Sequence, residues 1–335
     1  MKSLESYSRI LITGGTGSFG RRFVKKLLHE NLFSGPILIF SRDEYKQYRM
    51  RQYFPAERFP QLRFVLGDVR DRDKLMEVFA EGDLLIHAAA LKQVDTAEAN
   101  PMEFIKTNVL GSENVIRAAL AQKVRKVIAL STDKAVNPVS LYGGSKLCAD
   151  KLFLAATEAQ PVRHTIFSVV RYGNVLGSRG SVVPLFLEKA QLGEQLPLTH
   201  PQMTRFSVPV GVESALLLRA IAEGQGGEVF VPKVPSYRIT DLARAIAPDL
   251  PTKVIGLRPG EKLHEELISA EDRARTQEFA HHFVVYPPAV CKEMISSPPT
   301  LTLPLAYVSS QNTHWLSPEQ LQAQVQAYTE AEPIF

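Results

Sequence analysis

Short apolar runs rich in β-branched residues alternate with amphipathic stretches through the first half of the chain. A strand buried on both faces is apolar throughout, whereas a helix carries one apolar stripe, so the two kinds of segment are distinguishable. We predict strands at 9–13, 36–40, 63–66, 84–88, 126–130 and 165–171, and helices at 20–29, 72–79, 111–122 and 142–158. This alternation is typical of an α/β fold with a doubly wound parallel sheet covered by helices on both faces.

After residue 171 the pattern changes to glycine, proline and short polar turns, as in YGNVLGSRGSVVP. A helix at 212–222 and a strand at 228–232 are expected to complete the sheet. Further helices are predicted within YRITDLARAIA, LRPGEKLHEELI and LSPEQLQAQVQAYT. In the last of these, Ser317, Pro318 and Gln320 supply an N-cap, a first-turn proline and a capping-box partner.

These segments divide the chain into two parts. We expect a Rossmann domain made of residues 1–175 and 207–234, and a smaller substrate-binding domain made of residues 176–206 and 235–335. The smaller domain should lie at the carboxyl edge of the sheet, where ligands bind in such folds.

The composition excludes several classes of protein. The chain has 335 residues and a net charge of +4, and its basic residues are dispersed, which argues against nucleic-acid binding. Cys148 and Cys291 have neither disulfide-framework nor metal-ligand spacing, and the pair His281–His282 lacks further ligands, so no metal site is expected. No apolar run is long enough to span a membrane. We therefore expect a cytoplasmic protein that binds neither nucleic acid nor membrane.

The stretch LITGGTGSFGRRFVKKLL places Gly14, Gly17 and Gly20 between a predicted strand and a predicted helix. The first glycine permits a sharp turn, the second lets the backbone approach a pyrophosphate, and the third lets helix and strand pack closely. The alternative is a tight strand-to-helix turn without a ligand. The strand–turn–helix context favours a dinucleotide.

The end of the second predicted strand, IFSRDEYKQ, indicates which dinucleotide is bound. Ser41, Arg42 and Lys46 favour the 2′-phosphate of NADP, because a hydroxyl and two cations suit a phosphate better than a ribose diol. Asp43 could instead bind a ribose, and a solvated charge cluster is the alternative without a ligand. The sequence therefore favours NADP.

Tyr142 and Lys146 lie four residues apart on a predicted helix, so both side chains face the same way. A nearby ammonium and the positive nicotinamide would lower the pKa of the tyrosine, which could then exchange a proton with a substrate hydroxyl. Thr132 could donate to the same oxygen. Without the glycine turn, an exposed helix pair would be the simpler interpretation.

The motifs TGGTGSFG, HAAA at 87–90, YGGSK and RYGNV together resemble the extended short-chain dehydrogenases/reductases, over nearly all of residues 8–285. Within that superfamily the chain resembles the inverting UDP-N-acetylglucosamine 4,6-dehydratases. This closer resemblance rests on FSRDEYKQ, ALKQV at 90–94, STDKAVNPVSLYG, PQMTRF and RPGEKLHEELI. Retaining relatives with membrane-spanning segments usually carry methionine where this chain has Tyr142.

The resemblance implies a reaction in three stages. Tyr142 and Lys146 oxidise C4 of the sugar, water is eliminated across C5 and C6, and hydride returns to C6 with inversion at C5. The eliminating acid and base are implied to be Asp133 and Lys134, although a D-K dipeptide after a strand can simply cap a turn. Lys92 is a further candidate proton carrier.

The resemblance also implies a set of ligand contacts. The expected NADP contacts are Gly14, Thr16, Gly17, Ser18, Phe19, Gly20, Ser41, Arg42, Lys46, Asp68, Val69, Ala88, Ala89, Ala90, Lys92, Asn108, Tyr142 and Lys146. The expected contacts with a UDP-sugar are Lys92, Asn174, Arg179, Thr199, Arg205, Arg258 and Glu261. Arg205 and Arg258 could each bind a diphosphate bidentately.

Relatives imply a homo-oligomer, a dimer or a larger assembly such as a hexamer. The alternatives to this function are a UDP-sugar 4-epimerase, a retaining 4,6-dehydratase and a non-catalytic NADP sensor. An epimerase needs the tyrosine and lysine but no acid–base pair at C5 and C6. A sensor would not need the tyrosine and lysine that this chain keeps.

Overall fold

The computed structural model describes residues 4–160, 162, 164–178, 180–288, 301–303 and 305–330. Its strands are β1 (Ile10–Thr13), β2 (Ile37–Ser41), β3 (Leu62–Leu66), β4 (Leu84–His87), β5 (Lys126–Thr132), β6 (Ile166–Tyr172), β7 (Leu196–Leu198), β8 (Thr204–Phe206), β9 (Val229–Pro232), β10 (Ser236–Arg238), β11 (Thr252–Val254), β12 (Glu266–Ile268), β13 (Thr276–Glu278), β14 (His282–Val285) and β15 (Tyr307–Val308). Its helices are α1 (Ser18–His29), α2 (Glu44–Tyr53), α3 (Arg72–Val78), α4 (Val94–Ala99), α5 (Pro101–Phe104), α6 (Gly111–Ala121), α7 (Leu141–Glu158), α8 (Val182–Gln191), α9 (Val212–Glu223), α10 (Ile239–Ile246), α11 (Ala270–Arg273) and α12 (Pro318–Glu330).

The large sheet has the order β13-β14-β9-β6-β5-β4-β1-β2-β3. All pairings from β3 to β9 are parallel, and β14 and β13 continue the sheet in antiparallel fashion at one edge. The chain turns from one half of the sheet to the other between β1 and β4, so the carboxyl ends of these strands flank the crevice of a doubly wound fold. The predicted fold class is confirmed.

Side chains on the two faces of the sheet enter two separate cores, because successive strand residues point to opposite sides. On one face Ile10 and Ile12 pack with Phe23 of α1 and Leu217 of α9. On the other, Leu11 packs in one core with residues of α3, α6 and α7. Because both faces are covered, the inner strands are apolar throughout, which is the pattern visible in the sequence.

A smaller unit lies beyond the main sheet, with its own core. Three two-stranded sheets pair β10 with β8, β11 with β7 and β12 with β15. Helices α8, α10 and α12 pack around Phe186, Leu242 and Leu321. The structure differs from the predicted division at one place, because β13 and β14 extend the large sheet rather than joining the smaller unit.

Local predictions are partly wrong in both halves of the chain. LRPGEKLHEELI forms no helix: Gly260 has a φ of 74°, and the last three residues of the stretch form β12, held by pairing with β15. Helix α2 was not predicted. The C-terminal capping box is confirmed, since the N–H of Ser317 donates to Gln320 and the N–H of Gln320 donates to Ser317. No helix in the described ranges is both long and apolar enough to cross a membrane.

Candidate active site

A cleft of about 1100 Å³ runs along the carboxyl edge of the sheet and continues beneath the smaller unit. Among the predicted site residues that the structure describes, all but Asp133 and Asn108 line it. Arg179 lies outside the described residues. The cleft therefore brings together side chains from both halves of the chain.

The glycine turn forms one end of the cleft. Gly14 has a φ of 65°, and a Cβ there would lie 2.7 Å from the Cα of Ala89. Gly17 is the N-cap of α1, and a Cβ on Gly20 would lie 2.3 Å from the carbonyl oxygen of Gly15. Side chains at Gly14 and Gly20 would collide with the backbone of Ala89 and Gly15, so these glycines let β1, the turn and α1 pack closely. The turn lines the cleft at the N-terminus of α1, where the helix dipole has its positive end.

The charged residues Arg42, Asp43 and Lys46 follow the end of β2 and make different contacts. Asp43 caps α2, accepting from the N–H of Lys46 at 3.0 Å, and its other oxygen lies 2.7 Å from the Lys46 Nζ. These hydrogen bonds hold the pKa of Asp43 below its usual value. Arg42 is half-exposed, 3.8 Å from Asp68. Asp43 therefore caps α2, and both Asp43 and Arg42 line the cleft.

Ala88, Ala89 and Ala90 follow β4 and form the cleft wall opposite the glycine turn. Beneath them, His87 is fully buried and hydrogen-bonds the hydroxyl of Thr13 at 2.8 Å. Burial, reinforced by the charge of Lys146, lowers the pKa of His87 to about 3. His87 is therefore a neutral hydrogen-bonding link between β1 and β4.

Asn108 corrects one predicted cofactor contact. Its side chain is 1% exposed and does not line the cleft. Its amide bonds both backbone groups of Leu91, at 2.8 and 2.9 Å, and the Ser145 hydroxyl at 3.0 Å. Asn108 therefore fastens the loop after β4 to α7, and its amide is used within the protein.

Tyr142 and Lys146 project from α7 into the cleft as predicted, but the expected effect of Lys146 on the tyrosine is wrong. Burial raises the pKa of Tyr142 to about 12, while the charge of Lys134 and the Thr132 side chain act in the lowering direction. Lys146 donates to the carbonyl oxygen of Leu130 at 2.8 Å, and burial lowers its own pKa. Lys134 is therefore the cation that favours ionisation of Tyr142.

A group of charged side chains lies beside Tyr142, and we call Asp133, Lys134, Arg205 and Glu265 the ionic cluster. Lys134 Nζ lies 3.1 Å from Asp133 Oδ1, 3.0 Å from Glu265 Oε1 and 3.3 Å from Asn174 Oδ1. Both carboxylates are 1% exposed. Their other oxygens, Oδ2 and Oε2, are buried and have no hydrogen-bond partner within the described part of the chain.

The two carboxylates of the ionic cluster differ electrostatically. Burial and the charge of Glu265 raise the pKa of Asp133. Burial also acts upward on Glu265, but Lys134 and Arg205 outweigh it and its pKa falls. The two acids overcome the effect of burial on Lys134 and raise its pKa. Glu265 is thus the carboxylate whose negative charge its neighbours stabilise more, and Asp133 is the acid more easily protonated.

Glu261 joins the two arginines that were predicted to bind a diphosphate. Its Oε1 lies 3.3 Å from Arg205 Nη2 and 3.2 Å from Arg258 Nη2. Arg205 is buried on β8, whereas Arg258 is half-exposed and also reaches Asp95 at 3.4 Å. Thr199 completes this end of the cleft, where its hydroxyl contacts the sulfur of Met203. The arrangement presents two guanidinium groups bridged by one carboxylate.

The comparisons with known proteins agree with this geometry. A family model described as polysaccharide biosynthesis protein matches residues 10–287. The chain belongs to this family. A protein of Campylobacter jejuni subsp. jejuni serotype O:2 named UDP-N-acetylglucosamine 4,6-dehydratase (inverting) is 51% identical over 279 residues, covering 83% of this chain and 82% of that protein. The resemblance expected from the motifs is confirmed.

Two further similarities bear on fold and function. The X-ray structure of Pen from Bacillus thuringiensis has a TM-score of 0.89 and 31% identity, covering 97% of this chain and 99% of that chain. A Rickettsia canadensis protein named UDP-glucose 4-epimerase is 44% identical over 280 residues, covering 82% of this chain and 81% of that protein. Proteins similar to this chain are therefore named for two different reactions.

Sequence reasoning missed Glu265, which contacts Lys134 from the other half of the chain. The motif RPGEKLHEELI was singled out, but its predicted helix would have placed Glu265 on a helix face. The backbone of Glu265 is held instead by Ser309, whose N–H donates to its carbonyl at 2.8 Å and whose hydroxyl accepts from its N–H at 2.9 Å. A contact with residue 309 leaves no local trace in the sequence.

Proposed function

We propose that this chain is a UDP-N-acetylglucosamine 4,6-dehydratase that uses NADP and inverts C5 of the sugar. The observation that carries the proposal is the ionic cluster beside Tyr142, because oxidation at C4 alone needs no second acid–base pair. The product would serve the synthesis of a bacterial surface glycan. We expect the enzyme to be a cytoplasmic homo-oligomer, which light scattering on the purified protein would measure.

The first stage is proton transfer at the C4 hydroxyl. When bound, NADP supplies a hydride acceptor at C4 and a hydride donor at C6. The Tyr142 phenolate takes the hydroxyl proton, and we assign to Thr132, which also lines the cleft, a hydrogen bond to the same oxygen. The positive nicotinamide and Lys134 both favour the phenolate, which offsets the effect of burial on the pKa of Tyr142.

The second stage is elimination of water across C5 and C6. A ketone at C4 acidifies the C5 proton, so a base near C5 and an acid near O6 complete the reaction. Lys134 and Asp133 adjoin Tyr142 through their shared position after β5, and they are the residues we assign to these roles. Their proton must be redistributed first, because Lys134 is an ammonium within the ionic cluster.

The nucleotide end of the substrate is assigned to Arg205 and Arg258. A diphosphate is the natural ligand for two guanidinium groups in fork geometry. Glu261 bridges the two guanidinium groups and would have to release part of this bridge, or turn to a ribose hydroxyl. Asn174, Thr199 and Lys92 also line the cleft and are assigned to the sugar.

The glycine turn suits a dinucleotide pyrophosphate, because it lines the cleft at the N-terminus of α1, where the helix dipole favours an anion. NADP is favoured over NAD by Arg42 and Lys46. Asp43, the acid that could bind a ribose diol, is occupied as the cap of α2.

A UDP-sugar 4-epimerase is the second candidate, because the Rickettsia canadensis relative carries that name. It shares the need for Tyr142, Lys146 and a dinucleotide. Two buried carboxylates on Lys134 favour the dehydratase, since an epimerase forms no alkene. A retaining dehydratase would give the same loss of water with the opposite configuration at C5.

Incubation with UDP-N-acetylglucosamine and NADP separates these candidates. A dehydratase lowers the mass of the sugar nucleotide by one water, and in deuterium oxide it incorporates deuterium at C5. NADPH should not accumulate, because hydride leaves C4 and returns to C6. An unchanged mass with a new 4-epimer would establish the epimerase, and stoichiometric NADPH would indicate a simple dehydrogenase. NMR of the product distinguishes inversion from retention.

A further inference from the structure

Glu265 reaches the cleft from the loop before β12. It is fully buried, yet it lines the cleft wall near Lys134. Its main chain is clamped by both hydrogen-bonding groups of Ser309, next to β15. Burial of a carboxylate costs folding free energy unless the carboxylate is paired with a cation. We therefore expect Glu265 to have cationic partners.

Glu265 is paired with two cations. Oε1 lies 3.0 Å from Lys134 Nζ and 3.6 Å from Arg205 Nε. Oε2 is buried without a hydrogen-bond partner among the described residues. Lys134 thus has an acid on each side, and one of them, Glu265, is neutralised by a second cation.

The charges of the ionic cluster balance, with two carboxylates against one ammonium and one guanidinium. Lys134 becomes a base only when a proton leaves Nζ. Asp133 Oδ1 lies 3.1 Å away, a hydrogen-bond distance across which that proton can move. Glu265 competes poorly for it, because Arg205 stabilises its negative charge.

We propose that Glu265 is a positioning residue for the elimination: it holds Lys134 against Asp133 and retains one negative charge, so that the mobile proton is shared by Lys134 and Asp133 alone. The inference rests on the proposed function and extends it to a residue that the sequence reasoning did not assign. Glu265 acts through Lys134 and does not itself exchange a proton with the sugar.

Proton transfers within the ionic cluster accompany the elimination. The Nζ proton moves to Asp133 Oδ1, leaving a neutral amine and a neutral carboxylic acid. The amine takes the C5 proton, the C5–H electron pair forms the C5=C6 bond, and the C6–O6 pair leaves with the oxygen. Asp133 gives its proton to that oxygen by way of the Thr132 hydroxyl, which lines the cleft 2.9 Å from Asp133 Oδ1, and the oxygen departs as water. The ammonium and carboxylate are then restored.

Several groups face Lys134 from neighbouring elements and must be considered in any pH dependence. They are Asp133, Tyr142, Arg205, Tyr237, Lys262 and Glu265. Removing the charge of Glu265 lowers the pKa of both Lys134 and Asp133, since the anion attracts a proton to each of them. The pH profile of elimination should therefore move as a whole to lower pH.

The first test compares Glu265→Gln with wild type by deuterium uptake at C5 as a function of pH. We expect the profile to shift by roughly 1 to 3 pH units toward acid, as for loss of an opposite charge within hydrogen-bond reach. The C4 oxidation profile should shift less. Glu266→Gln removes the same charge one residue away, where Glu266 accepts from Asn137, and its profile should match wild type.

The second test needs no substrate. Reductive methylation with formaldehyde labels neutral amines, and peptide mass spectrometry reports the labelling of Lys134 at each pH. In Glu265→Gln this labelling should begin roughly 1 to 3 pH units lower than in wild type and in Glu266→Gln. If wild type fails to dehydrate the sugar, the proposed function fails while this titration still tests Glu265.

Wild-type profiles in Glu265→Gln, or equal shifts in Glu266→Gln, would overturn the inference. Glu265→Gln could fail to fold, so Glu265→Asp provides a second variant. Its carboxylate stays charged but ends one methylene further from Nζ. It should shift both profiles in the same direction by a smaller amount, and an unshifted titration in that variant also contradicts the inference.

Discussion

The two halves of the cleft are built in opposite ways. The cofactor half, the glycine turn of residues 14–20 with the ends of β2 and β4, is mostly backbone and small side chains. The substrate half is the ionic cluster with Glu261 and Arg258, where charged side chains meet across long separations in the chain. Lys134 and Glu265, for example, are 131 positions apart and 3.0 Å from each other.

This difference determines what each half tolerates. A ligand of the cofactor half meets N–H groups whose positions depend on the absence of side chains, so added volume is harmful there. The substrate half depends on which charges are paired, so the loss of one charge leaves another buried without compensation. Substitutions that alter volume and substitutions that alter charge should therefore act on different halves.

The largest effect is expected from removing a proton carrier in the substrate half. Lys134→Ala should lower turnover by roughly two to four orders of magnitude, the usual contribution of a positioned acid or base. Oxidation at C4 should slow but persist, because Tyr142 and Lys146 are unchanged while Tyr142 loses the cation that favours its ionisation. Stopped-flow absorbance should then show a transient reduced-nicotinamide signal, while deuterium uptake at C5 falls.

Tyr142→Phe is the matched contrast, because it should abolish the transient signal together with turnover. Both variants must first be shown to fold, by circular dichroism and thermal melting. Near-normal C5 exchange in a folded Lys134→Ala protein would move the base to Lys92 or Asp133.

The next effect belongs to the cofactor half. Gly20→Ala places a Cβ 2.3 Å from the carbonyl oxygen of Gly15, and backbone atoms must shift to accommodate it. We expect a loss of about 3 kcal/mol in the free energy of unfolding, at the upper end for overpacking, together with weakened dinucleotide binding. Urea denaturation and calorimetric titration with NADP measure the two quantities.

Gly144→Ala is the control on the other side of the cleft. Nothing lies within 4 Å of a Cβ at Gly144, which lies in α7 between Tyr142 and Lys146. Alanine should stabilise the helix by about 0.5 to 1 kcal/mol. Equal destabilisation by both substitutions would show that crowding at the turn is not the cause.

The contrast between the halves also explains how far the sequence could be interpreted. The cofactor half follows from local rules, because apolar strands, three glycines and a helix start lie within 20 residues of one another. The sequence identifies acids and bases of the substrate half as separate candidates. It does not show which of these side chains contact one another. That Glu265 shares Lys134 with Asp133 depends on β12 pairing with β15, a contact that no local pattern encodes.

Acid should destabilise the cofactor half through His87. The pKa of this residue is about 3 in the folded protein, below the ordinary 6.5, so the unfolded chain takes up a proton first as pH falls. Stability is therefore lost from about pH 6.5 down to about pH 3, by about 2 kcal/mol between pH 7 and pH 5. Urea denaturation at several pH values across this range measures how the free energy of unfolding depends on pH.

His87→Gln should remove the contribution of His87 to the pH dependence of the free energy of unfolding. The loss of packing lowers stability at every pH. His282 contributes separately, since burial lowers its pKa to about 4. An unaltered slope in His87→Gln would assign the acid sensitivity to His282 and to carboxylates.

The smallest effect is expected at Arg42, the charged residue of the cofactor half that is proposed to bind the 2′-phosphate. Arg42→Asp removes the proposed partner of the 2′-phosphate and adds an acceptor for a ribose diol. Arg42 is half-exposed, so the ratio of NADP to NAD affinity should fall by only about tenfold, the lower range for a hydrogen bond to a charged group. Titration of both cofactors at one salt concentration gives this ratio.

Arg72→Asp makes the same change of charge on α3, outside the cleft lining, and should leave the ratio at its wild-type value. The comparison separates a local contact from the general loss of two positive charges. A constant ratio in Arg42→Asp would mean that Lys46 or Ser41 recognises the phosphate. Asp43 offers no compensation in either case, because it remains the cap of α2. The cofactor half would then discriminate its ligand by charge at one exposed edge and by shape everywhere else.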